Sequence, residues 1–129
     1  MVSGVSNDSV LPDPPKATLH ELVEVGPDLT FGTAASFRGR ISDLIILHEV
    51  RVIVDLRWTE LVDAVGLGAL VAARRRLNAS GGCLHLVPGP AVQERLASGG
   101  LLRFFDLASD PEAATEHRSD RIPGPRWHE

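Results

Sequence analysis

Residues 52–82 read VIVDLRWTELVDAVGLGALVAARRRLNASGG, and the change of hydrophobic period along this stretch decides the fold. Together with Val50 and Arg51, its first residues make the run VRVIVDL, Val50 to Leu56. A segment so rich in β-branched side chains predicts a central strand covered on both faces. Leu67, Leu70, Val71 and Leu77 then fall on a helical stripe, softened by Ala69, Ala72 and Ala73, and Gly81-Gly82 stops it.

The same alternation extends outward in both directions. Upstream, Thr18 to Val25 reads as a strand ended by the turn chemistry of Gly26-Pro27-Asp28. Phe37, Ile41, Leu44 and Ile45 mark one face of a helix, with Thr33 placed to cap it. Downstream, Cys83 to Val87 predicts a buried strand, and Pro90 opens a helix carrying Val92 and Leu96 that Gly99-Gly100 closes. Phe104 to Leu107 reads as a last strand, and Ser109 with Glu112 as a capping box for a short helix with Pro111 in its first turn. Strands alternating with helices predict an α/β domain with a mixed, mostly parallel sheet of about four or five strands.

The chain of 129 residues suits one domain, expected at 17–116. Residues 1–16, rich in Ser, Asp and Pro, are expected to form a disordered arm, and 117–129 a second tail with Trp127 as its only anchor. No apolar run approaches the roughly 18 residues of a membrane span, and the start lacks the pattern of a secretory signal, so a cytoplasmic address is expected. The single cysteine, Cys83, agrees with a reducing compartment. A net charge of -4 argues against nucleic acid as a partner.

Several catalytic chemistries lack their parts. A phospho-accepting Asp55 would need a late lysine, but Lys16 is the only lysine and precedes the domain, so Asp55 is expected to accept loop hydrogen bonds. No Gly-x-Ser-x-Gly elbow is present. Cys83 and His85 share one strand face, but two ligands do not complete a zinc site, and a buried thiol beside a half-exposed imidazole is expected instead. Gly66-Leu67-Gly68 lacks the third glycine of a dinucleotide fingerprint. In the run Arg74-Arg75-Arg76, Arg74 lies toward the apolar stripe while its neighbours point outward, as on a solvated face or toward an acidic patch on a partner. Neither a catalytic residue nor a metal or cofactor is predicted.

The segment from Val52 to Gly82 resembles the central signature of STAS domains, in which an apolar strand ending in Asp-Leu leads through a loop to Asp-Ser-Ser-Gly-Leu-Gly at a helix start. Here that motif stands as Asp63-Ala64-Val65-Gly66-Leu67-Gly68. Gly26-Pro27-Asp28-Leu29 resembles the family's Gly-x-Leu-Asp turn with its last two residues exchanged, and Pro90 to Phe105 resembles its Pro-x-Val…Leu…Gly-Leu…Phe pattern. The similarity spans about Val23 to Ala114. In anti-sigma-factor antagonists of this family, a serine at the helix start is phosphorylated by a partner kinase. A dianion at that place interrupts the contact. The resemblance puts Ala64 and Val65 at the serine positions, so no phospho-acceptor is expected.

The resemblance implies a regulatory binding module whose partner is an anti-sigma factor or serine-kinase-like protein. The expected surface comprises Asp28, the loop Trp58 to Asp63, and Ala64, Val65, Gly66, Leu67 and Gly68. Asp63 serves either as the helix N-cap or in partner contact. Gly66 and Gly68 serve either close packing or backbone exposure to a partner. Trp58 either covers the sheet end or anchors an interface. Two alternatives stay open: a scaffold subunit assembling with other STAS proteins, and a sensor holding a nucleotide or lipid head group beside Asp28 and Asp63.

Overall fold

The β-branched run at 50–56 lies in the interior of a sheet, as its pattern requires. A computed structural model describes residues 19–116; both expected tails, and Ala17 and Thr18 with them, lie outside the described residues. The elements run in the order β1 (Leu19–Glu24), β2 (Asp28–Leu29), α1 (Ala34–Ile45), β3 (Val50–Leu56), β4 (Leu61–Val62), α2 (Ala64–Ala79), β5 (Cys83–Pro88), α3 (Pro90–Ser98), β6 (Asp106–Leu107) and α4 (Pro111–Glu116). Four strands form one sheet in the order β1-β3-β5-β6, and β2 with β4 forms a second, two-stranded sheet. Among the described residues every pairing is parallel.

Strand alternation divides the core in two. Val50, Val52, Val54 and Leu56 of β3 and Leu84 and Leu86 of β5 point to one face, where Phe37 and Ile41 of α1, Leu70 and Leu77 of α2, and Val92 and Leu96 of α3 join them in one buried cluster. Ile53 and Val87 point the other way and pack with Ala114 of α4. Arg51 ties this smaller layer down by donating from Nη1 to the Ala114 carbonyl at 3.0 Å. None of the described helices is long and apolar enough to cross a membrane.

Four local expectations need correction. Thr33 holds the N-cap position of α1 without capping it, because its backbone is already helical rather than extended (φ -118°, ψ -10°). Its hydroxyl instead accepts from the Thr30 amide at 2.9 Å and donates to the Asp28 carbonyl at 3.1 Å. The last strand is only Asp106–Leu107. Phe104 and Phe105 leave the ladder to pack edge to face, centroids 5.0 Å apart, with Phe105 in the core and the Arg74 guanidinium 4.5 Å from the Phe104 centroid. The cap of α4 is Asp110, not Ser109: its Oδ1 accepts from the Ala113 amide at 2.7 Å. Finally, His85 is buried and Cys83 is the half-buried partner, because His85 lies mid-strand between Ile53 and Asp106 on the layer that α4 covers.

The two glycines at the start of α2 have different roles. A Cβ on Gly66 would stand 2.0 Å from the Leu29 carbonyl oxygen, so only glycine lets α2 approach the backbone of β2 this closely. A Cβ on Gly68 would meet nothing within 4 Å. Gly66→Ala is therefore expected to destabilise the fold by about 1–3 kcal/mol through overpacking, and Gly68→Ala to stabilise it by up to about 1 kcal/mol through helix propensity. Urea unfolding midpoints check both; shifts in the same direction would contradict this packing.

Candidate functional site

Two loops leave the same edge of the main sheet, at the C-terminal ends of β1 and β3, and backbone geometry joins them. The Pro27 carbonyl accepts from the Glu60 amide at 2.8 Å and the Leu61 amide at 3.3 Å. Asp28 then pairs with Leu61 and Leu29 with Val62. Thr59 is buried beneath this junction and donates its hydroxyl to the Gly26 carbonyl at 2.7 Å. From the other side, Arg95 of α3 donates Nε to the Val62 carbonyl at 2.9 Å.

Asp63 closes the arrangement. Its backbone is extended (φ -96°, ψ -175°), as an N-cap requires, and Oδ1 accepts from the Gly66 amide at 2.8 Å. Oδ2 accepts from the Phe31 amide of the other loop at 2.9 Å. One carboxylate thus caps α2 and holds the loop that leads to α1. The Gly66 amide first, then that of Phe31, holds the Asp63 carboxyl below the usual carboxylate range. Asp28 faces inward along its own loop, accepting from the Thr30 hydroxyl at 3.0 Å.

At the end of β3, Asp55 and Arg57 form a forked pair: Nε to Oδ1 at 3.0 Å and Nη2 to Oδ2 at 2.9 Å. The Arg57 amide also donates to Oδ1 at 3.1 Å. The Arg57 side chain holds the Asp55 carboxyl below its ordinary value against the opposing effect of burial. Asp55 accordingly organises the loop, as its place at a strand end predicts.

What this frame presents outward is apolar. Phe31 is 80% exposed, Trp58 72%, Leu61 60% and Val65 41%. Of the residues singled out in the sequence, Trp58, Ala64, Val65 and Gly68 reach the surface, whereas Gly66 and Leu67 face inward and fasten α2 to the domain. Trp58 stands at the C-terminal ends of β1 and β3, beside Glu24, Val25 and Asp55, with most of its ring exposed. Phe31 was missed, and Leu61 was included only as part of the loop Trp58 to Asp63. Phe31 stands in a short loop of a chain with only 5% aromatic residues, and Leu61 breaks the polar character of its loop; both are signals a search for exposed anchors could have used.

Among the described residues, no group of His, Cys, Asp and Glu could hold a metal ion. A concavity of about 640 Å³ beside α1 is lined by Asp28, Thr33, Phe37 and Arg40 among others, but neither Asp63 nor the start of α2 borders it. The arrangement offers a firm, partly apolar surface rather than a set of reacting groups.

Comparison with known proteins agrees with this geometry. An anti-sigma factor antagonist from Mycobacterium paratuberculosis is similar at a TM-score of 0.68 and 23% identity, over 79% of this chain and 87% of the other. The unphosphorylated anti-sigma factor antagonist SpoIIAA is similar at 0.64 and 22% identity, over 80% and 91%. A sulfate transporter family protein from Wolinella succinogenes is similar at 0.59 and 20% identity, over 79% and 93%. No curated protein matches the sequence. The STAS domain family model matches residues 15–114, and the chain belongs to the STAS domain family.

Proposed function

We propose that this chain is a regulatory binding module that docks an anti-sigma factor or serine-kinase-like protein through the face around the start of α2. The observation that carries the proposal is the Asp63 carboxylate, which holds exposed Phe31, in the loop before α1, and exposed Val65, in the first turn of α2, in a fixed relation. Apolar side chains presented on a preordered frame lose little entropy when a partner covers them, which is how interface anchors act. Similarity to anti-sigma factor antagonists supports the class of partner.

In this proposal no phosphate switches the contact. Ala64 and Val65 stand at the family's acceptor positions and carry no hydroxyl. Thr59, the nearest hydroxyl in sequence, is 1% exposed and bonded to the Gly26 carbonyl, so a kinase would have to open the loop to reach it. The module has no catalytic role of its own and acts by occupying its partner.

Val65→Glu tests the docking face. An acidic residue in the first turn of a helix suits the macrodipole, so the variant is expected to fold normally. It places a charge where an apolar side chain is buried by the partner, and the affinity for an anti-sigma factor of the source organism is expected to fall about tenfold or more, roughly 1.4 kcal/mol. Titration calorimetry reads the affinity, with circular dichroism confirming the fold. Unchanged affinity in the folded variant would move the docking surface elsewhere and favour a scaffold role among other STAS proteins.

A further inference from the structure

We infer that the concavity beside Trp58 receives an arginine side chain of the docking protein. The inference rests on a protein docking at this end of the domain, and it adds to that reading the chemistry of one contact.

The concavity measures about 510 Å³ and lies at the C-terminal ends of β1 and β3, lined by Glu24, Val25, Gly26, Pro27, Asp55 and Trp58. Its wall is an indole left 72% exposed. So large an apolar ring in water, lining a hollow, is the form of an interface anchor. The Arg57 guanidinium lies over the Trp58 ring, 5.7 Å from its centroid. Its forked bonds to Asp55 hold it there and balance its charge, which leaves Glu24 as the lining carboxylate without an ion pair among the described residues.

The surrounding charge is negative. Glu24 is exposed and makes no ion pair among the described residues. Asp110 and Glu112 of the α4 start are near enough to act on the Arg57 charge. With Asp55 and Arg57 offsetting one another, Glu24 is the carboxylate of the lining left without a counter-charge.

An exposed indole next to an unpaired carboxylate fits a guanidinium better than an ammonium. The planar guanidinium stacks on an aromatic face and donates two bonds to one carboxylate, whereas a lysine head is a compact, strongly hydrated charge. Val25 and Pro27 give the hollow an apolar lining for the methylene stem.

The test uses the ¹⁵N-labelled full chain titrated with the peptide acetyl-Gly-Arg-Gly-amide, with the Trp58 indole and Gly26 amide resonances as reporters. Peptides with lysine or citrulline at the central position are the controls, citrulline keeping the shape of arginine without its charge. The arginine peptide is expected to give saturable shifts at both reporters, the lysine peptide weaker ones and the citrulline peptide none. Glu24→Gln is expected to weaken arginine-peptide binding about two- to fivefold, the range of an exposed ion pair, and Trp58→Ala to abolish the Gly26 shift. The peptide is titrated against the free chain, so this result stands apart from the fate of the docking face on α2. Absence of a saturable shift, equal binding of the citrulline peptide, or indifference to Glu24→Gln would overturn the inference.

Discussion

The carboxylate of Asp63 spans two loops that are 32 residues apart in sequence at its contact with Phe31, and the exposed face is built around it. One oxygen satisfies a free amide of the α2 start and the other an amide of the loop before α1. An N-cap alone is worth about 1 kcal/mol to a helix. Here the same group also fixes the position of one loop against the other, so its removal would free the Phe31 and Val65 segments to move separately. The requirement extends to Gly66, whose missing Cβ lets the cap and the β2 backbone lie in contact.

The layers beneath explain why that geometry can be held. β3 is buried at every position except Arg51, and its ladder with β1 and β5 fixes where both loops start. Buried Thr59, the Pro27 carbonyl and the Arg95 side chain then remove the remaining freedom of the second loop. Such a surface needs little ordering when a partner arrives, which favours recognition by a few exposed anchors.

Much of this was legible in the sequence because period and punctuation agree. VRVIVDL, the Leu67–Leu70–Leu77 stripe, and Pro90 with Gly99-Gly100 each specify an element locally, and each element forms close to its expected limits. What was not legible depends on tertiary partners. Phe104 and Phe105 carry strand propensity, yet core burial and the Arg74 contact take them out of the ladder. The turn after α1 places His48 and Glu49 in the left-handed region, at φ 52° and 48°, without a glycine to announce it. At the site, Asp63 was identifiable as a cap, but its bond to Phe31 required knowing that the two loops meet. The stripe already turned Leu67 inward, but that Gly66 rather than Gly68 packs against β2 follows from how α2 docks, which no local pattern encodes.

The shared clamp predicts a signature in the pH dependence of two backbone resonances. Because both bonds favour the ionised form, Asp63 contributes stability that is present at neutral pH and is lost as pH falls through its lowered value. In an NMR titration of the free protein toward acid, the amides of Phe31 and Gly66 should shift together, with one common midpoint below the ordinary aspartate range. Separate midpoints, or a Phe31 amide indifferent to the titration that moves Gly66, would show that Asp63 caps the helix without joining the loops, and the account of a preordered docking face would fail.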